Sequence, residues 1–188
     1  MGELGHWVMR KNSSRRQFED WIFITSPQSI SPFQFDPEHN FLLQIRGKKT
    51  VHVFDQFDRA ILSEKYLEKY YTEGSANAKL DYTEEMQKKA MTFDINPGEG
   101  VFVPLTAPHW VKVEDNVSIS LSVTFYCDEA DRKARLYRFN SRLRRLGMTP
   151  TPYRASAFRD ATKEAVIATY LKTRQLLGRA PTQTTDRY

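Results

Sequence analysis

The sequence predicts a mainly β protein, a jelly roll or β-sandwich with a helical C-terminal appendage. Three observations predict it. Short β-branched and aromatic runs separated by turn residues fill the stretch from residue 41 to 126, the last of them alternates strictly, and two long helical patterns follow after residue 128. The 188 residues make one domain of ordinary size, and 12 Phe, 9 Tyr and 3 Trp supply a core. No run approaches the roughly 18 apolar residues of a membrane span, and the opening MGELGHWVMRKN lacks a signal peptide's basic-then-apolar layout. The expected compartment is the cytoplasm, with no membrane partner. Cys127 is the one cysteine, which excludes an intramolecular disulfide framework and any zinc site of paired cysteines. A metal would have to use His, Asp, Glu or weaker ligands.

The elements follow in order. Residues 41–54, FLLQIRGKKTVHVF, read as a hairpin turning at Arg46–Lys49. Ser63 caps a helix over SEKYLEKYYTE that Gly74 stops, and a second short helix starts near Asp81 with Glu84 placed as in a capping box. In MTFDINPGEGVFVPL, Asn96-Pro-Gly-Glu-Gly100 is a tight turn between two strands. From Ser118 to Tyr126, Ile119, Leu121, Val123 and Phe125 alternate with Ser118, Ser120, Ser122 and Thr124: one face packs, the other is small and hydroxylic. Strand and helix do not alternate, and PGEGVF lies between strands instead of opening a helix, so a nucleotide-binding α/β sheet is excluded.

The net charge of +5 is unevenly placed: residues 1–127 hold 14 basic and 17 acidic side chains, residues 128–188 hold 14 and 6. A helix over Glu129–Arg145 carries Leu136, Phe139, Leu143 and Leu146 as one stripe opposite Arg132, Lys133, Arg135, Arg138, Arg142, Arg144 and Arg145, with Gly147 as its stop. A second helix over Phe158–Leu177 offers Ala161, Ala165, Ala168, Leu171 and Leu176 for packing, and the chain after Ala180 is expected to fray. The cationic face either grips phosphate or is solvated, its stripe buried against a partner. The stripe on these two helices predicts a homodimer interface at Leu136 and Leu143. The organisation expected is an N-terminal segment 1–20, a barrel 21–127 and a basic helical region 128–188.

Of four histidines, His6 lies in a terminal segment and His52 alternates within a strand. His109 follows PLTAP in a turn between strands, where it can point into a barrel mouth, and Asp36 sits just before the predicted hairpin. A carboxylate and a distant histidine are pieces of a facial triad for non-haem Fe(II), which needs two His and one carboxylate. The run from Ser31 to Lys49, SPFQFDPEHNFLLQIRGKK, and the segment PGEGVFVPLTAPHWVKVEDNVSISLSVTF resemble the JmjC and cupin-like Fe(II)- and 2-oxoglutarate-dependent oxygenases, particularly the asparaginyl hydroxylase branch and bacterial cupin-like proteins. The resemblance covers about residues 22–126 and implies a cupin double-stranded β-helix.

It also implies roles. Asp36 and His109 fall on metal ligands, Lys49 on the residue that pairs with the far carboxylate of 2-oxoglutarate, and Ser31, Asn40 and Thr124 on polar positions near that cosubstrate. The family's first histidine ligand falls on Gln34, a neutral and poorer donor. Two readings follow: a hydroxylase whose Fe(II) is held by Asp36, His109 and Gln34, acting on a protein or small molecule, or a catalytically inactive binding or regulatory protein. The second would use the basic helix for nucleic acid or dimerisation, although no helix-turn-helix motif is present. His39, close to Asp36, is a candidate substitute ligand, but strand alternation points it the other way unless Pro37 interrupts. Family members commonly dimerise through C-terminal helices. About thirty residues precede Ser31, fewer than in relatives, which predicts a truncated or diverged member with a less covered barrel.

Overall fold

The computed structural model describes residues 15–74 and 80–178. His6 and the chain after Ala180 lie outside the described residues. The order is β1 (Arg15–Thr25), β2 (His39–Arg46), β3 (Lys49–Val53), α1 (Glu64–Glu73), α2 (Glu84–Gln87), β4 (Met91–Ile95), β5 (Gly100–Val103), β6 (His109–Val113), β7 (Ser118–Cys127), α3 (Asp128–Arg145) and α4 (Ala157–Leu176). The strands form a four-stranded sheet β1-β7-β2-β5 and a three-stranded sheet β4-β3-β6, antiparallel throughout. This is the mainly β fold with helices that the sequence predicts. The chain divides into a β unit (1–62 and 80–131) and a helical unit (63–79 and 132–188), so the helical unit takes α1 from between two strands as well as the C-terminal helices.

The predicted hairpin at Arg46–Lys49 does not form. β2 pairs with β5 and β7 and β3 with β4 and β6, so the chain crosses from one sheet to the other at this turn. Gly47 makes the crossing feasible: its φ is +73°, and a Cβ there would lie 2.7 Å from the Val117 carbonyl oxygen. The core between the sheets is Leu42, Val51, Val53, Ile95, Val101, Val103 and Ala107.

β7 alternates as its sequence predicts, yet its hydroxylic face is the more deeply buried. Ser118, Ser120, Ser122 and Thr124 are buried while Ile119, Leu121 and Val123 are only partly covered. The hydroxyls are satisfied by neighbours on β2 and β1: Gln44 donates to Ser118 Oγ at 2.8 Å and accepts from Ser120 Oγ at 2.8 Å, Ser122 donates to Asn40 Oδ1 at 2.7 Å, and Thr124 donates to the Glu19 carbonyl at 3.3 Å. Pairs of small polar groups that bond each other can be buried at little cost.

In the helical unit, Ser63 accepts from the Tyr66 N–H and Gly74, at φ +83°, ends α1. Leu136 and Tyr137 of α3 are fully buried, Tyr137 stacks on Tyr71 at 5.7 Å, and Arg144 makes a bidentate pair with the buried Glu68 at 2.7 and 2.9 Å. Leu136, expected at a homodimer interface, is thus fully buried within the chain. Within α4 only Asp160 is buried; Ala161, Ala165, Ala168, Leu171 and Leu176 face solvent instead of packing. The capping box at Asp81–Glu84 is replaced by a single turn, α2, capped at Thr83 without a side-chain bond.

Candidate functional site

Between the sheets of the β unit lies a cavity of about 270 Å³, lined by Gln34, Asp36, Asn40, Lys49 and His109 together with Ser31 and apolar side chains of both sheets. The predicted site residues thus converge, Thr124 excepted: it belongs to the buried hydroxylic row of β7 and is absent from the lining.

His109 opens β6, a residue later than the inter-strand turn expected for it. The Ala107 carbonyl orients the ring: 3.0 Å away, it can only accept, so His109 Nδ1 donates to it and Nε2 is the nitrogen that can offer a lone pair to a ligand. Nε2 lies 3.5 Å from Asp36 Oδ2. That is longer than a hydrogen bond and near the roughly 3 Å between adjacent ligands of an octahedral ion with bonds of about 2.1 Å.

Gln34 is held by the backbone. Its N–H donates to the His109 carbonyl at 3.0 Å and its carbonyl accepts from the His109 N–H at 2.7 Å. Residues that exchange both bonds stand directly opposite, their side chains on one face with Cβ atoms about 5 Å apart. Position 34 is therefore the cross-strand neighbour of His109. The sequence did not disclose this pairing, because residues 26–36 meet β6 through isolated bridges, Ile30 with Lys112 and Gln34 with His109, and not through a regular strand. Among the described residues no three His, Cys, Asp or Glu side chains group as a metal cluster. The donors present, one imidazole, one carboxylate and a neutral amide, fit a divalent cation held by two strong ligands and one weak one.

Lys49, at the start of β3, is 4 % exposed and its ammonium has no hydrogen-bond or ion-pair partner among the described residues. Burial holds its pKa below the ordinary 10.5. Apolar neighbours on the lining, Leu42, Val51, Val103 and Val113 among them, offer no counter-charge. Ser31 Oγ accepts from the Val111 N–H at 2.8 Å, which ties the 26–36 segment to β6 and leaves its own proton to donate. Asn40 faces Ser122 as described. Near the site, burial, reinforced by the charge of Asp36, pushes the Glu38 carboxyl up to about 7 against a hydrogen bond from Tyr126.

His39 does not line the cavity. Its ring stacks between Phe102 at 5.3 Å and Phe125 at 5.1 Å, and its Nδ1 accepts from the Leu105 N–H at 3.1 Å, which gives it a structural role. His52 stacks on Trp110 at 3.9 Å and bonds Thr92 and Gln87, away from the cavity.

Three solved structures show similarity at low identity. They are the DMSP lyase DddQ from Ruegeria pomeroyi DSS-3 (12% identity, TM-score 0.38, covering 58% of this chain and 38% of that one), an oxalate decarboxylase from Lactobacillus farciminis (16%, 0.39, 61% and 25%) and the polyketide cyclase RemF from Streptomyces resistomycificus (17%, 0.35, 60% and 55%). The chain spans 25–55% of the length of these proteins. The Cupin_8 family, described as a cupin-like domain, matches residues 7–132, a span that holds every strand and every residue of the cavity. The chain belongs to the cupin-like domain family.

Proposed function

We propose that this cupin is a JmjC-type Fe(II)- and 2-oxoglutarate-dependent oxygenase with an altered metal triad. Asp36, His109 and the amide oxygen of Gln34 would hold the metal, and Lys49 would receive the far carboxylate of 2-oxoglutarate. The observation that carries the reading is a buried lysine, its ammonium without a partner among the described residues, on the wall of the same cavity as the Asp36–His109 pair. A buried cation without a counter-ion is costly, and a carboxylate ligand relieves that cost. Fe(II) with 2-oxoglutarate supplies oxygen activation and hydroxylation of a bound substrate. The chain's own residues fix the ligand: the Ala107 carbonyl keeps the His109 Nε2 lone pair available, Lys49 orients the dicarboxylate, Ser31 and Asn40 offer polar contacts, and the valine and leucine walls exclude water.

The second reading, a binding protein without turnover, draws on Gln34 in place of a third strong ligand. The two are separated by 2-oxoglutarate binding followed by succinate formation in the wild type, Gln34→His, His109→Ala and Lys49→Met. Lys49→Met is expected to weaken 2-oxoglutarate binding at least about tenfold, as loss of a charge-assisted hydrogen bond implies. Succinate formed by the wild type and abolished in His109→Ala supports the oxygenase. A silent wild type revived by Gln34→His supports the binding protein, and no 2-oxoglutarate binding in any variant overturns the oxygenase.

A further inference from the structure

Lys49 and Val51 on β3 and His109, Val111 and Val113 on β6 line the cavity, so the alternate residues His52 and Trp110 face outward from the same sheet. There one side chain, Gln87 of α2, clasps both. The Trp110 indole N–H can only donate, and it reaches Gln87 Oε1 at 3.2 Å, where the Tyr82 hydroxyl also donates at 2.9 Å. That fixes the amide. Its NH2 group points at His52 Nδ1, 2.9 Å away, and Thr92 Oγ1 lies 3.0 Å from the same nitrogen. Nδ1 must accept from Gln87, so the ring is neutral with its proton on Nε2. Tyr82 completes the cover by packing edge-on against Phe33 at 5.3 Å and Trp110 at 6.3 Å.

We propose that Gln87 and neutral His52 form an acid-released latch that holds residues 81–90 on the outer face of the sheet. A proton on Nδ1 turns the acceptor into a donor. It satisfies Thr92 but meets the Gln87 NH2 donor to donor, and rotating the amide only moves the conflict to the Trp110 N–H. The groups around the ring set the range. Burial holds the His52 pKa below the ordinary 6.5 against the pull of the Asp94 carboxylate on β4. On β6, Lys112 lies on the same face as Trp110 and is 4.0 Å from Glu114; on α2, Glu84 is exposed and Glu85 pairs with Lys88 at 2.7 Å. A second tie of the segment, Lys89 to Asp58 at 2.7 Å, does not share the switch, because that bond holds the Asp58 carboxyl below its usual range. The latch is therefore closed above about pH 6.5 and opens as pH falls through the lower folded value. Trp110 follows His109 and Phe33 precedes Gln34 in the chain, so an open latch uncovers the back of the bridge that joins those two residues. The latch does not depend on what the cavity binds.

The test is hydrogen exchange of the full chain read by mass spectrometry at about pH 7.5 and about pH 5, with labelling times corrected for the intrinsic pH dependence, in the wild type, His52→Gln and Gln87→Ala. The amides of Met86, Lys89 and Ala90, bonded within the segment, report the latch, and the β7 amides report the sheet. In the wild type the segment is expected to exchange at least about tenfold faster at the lower pH, as loss of a hydrogen bond implies, while β7 is unchanged. His52→Gln, which takes no proton, is expected to show no step, and Gln87→Ala to exchange at the fast rate at both pH values. The emission of Trp110 in a Trp7→Phe/Trp21→Phe chain is expected to shift over the same pH range as its N–H loses its partner. A segment equally protected at both pH values in the wild type, or a fixed Trp110 emission, overturns the proposal. So does a step that persists in His52→Gln, a Gln87→Ala segment protected as in the wild type, or a β7 that loosens together with the segment, since acid would then be unfolding the sheet as a whole.

Discussion

Lys49 places a buried cation on the wall of the cavity. Its side chain is buried and its ammonium has no partner among the described residues, so replacement by methionine is expected to raise thermal stability while weakening 2-oxoglutarate binding. The sign with pH follows from the depressed value. The penalty is fully present below the folded pKa and fades as pH rises toward the ordinary 10.5, so the stability gain of Lys49→Met is largest near neutral pH and shrinks in alkali, which melting curves across pH would show. Saturating 2-oxoglutarate should raise the melting temperature of the wild type and leave Lys49→Met unmoved. That Asp36, His109, Lys49, Ser31, Asn40 and Gln34 lie on one cavity was legible in the sequence because a resemblance carries over position by position. That Thr124 lies outside the lining was not legible, because hydroxyls on an alternating strand look alike whether they line a cavity or bond the next strand.

Elements were legible where the signal is local. Ser63 and Gly74 bound α1, Gly147 and Gly178 follow α3 and α4 at positive φ, and β7 alternates. Pairing was not local and was missed: two strands joined by a short glycine turn read as a hairpin, whereas here the turn carries the chain between sheets. The cationic helix α3 shows the same limit. Arg132 and Arg135 meet Glu164, Arg138 donates to the Tyr71 carbonyl, Arg144 grips Glu68 and Arg145 meets Glu73, so most of the charge is spent within the helical unit. Arg142 has no such partner among the described residues. Arg144→Ala is therefore expected to cost about 2–3 kcal/mol in denaturant unfolding by stranding the Glu68 carboxylate, while Arg142→Ala stays within about 0.5 kcal/mol.

For the whole molecule, the division into units does not follow the chain order. α1 leaves the β unit between β3 and α2, and its aromatic and acidic side chains find their partners on α3. A chain ending after Asp131 is expected to lose the helical circular dichroism of α1 as well as that of the removed helices, since ten residues are too few to hold a helix alone. The β unit carries its own core and its own cavity. One consequence lies in the pairing of Gln34 with His109. The two backbone bonds that fix position 34 are indifferent to its side chain, so the residue proposed as third ligand can be exchanged without disturbing the strand contact that presents it. Glutamine and histidine codons differ by one base. On the proposed function, metal affinity would be separable from folding, and descent could tune or silence the chemistry by a single point change while the fold that houses it persists.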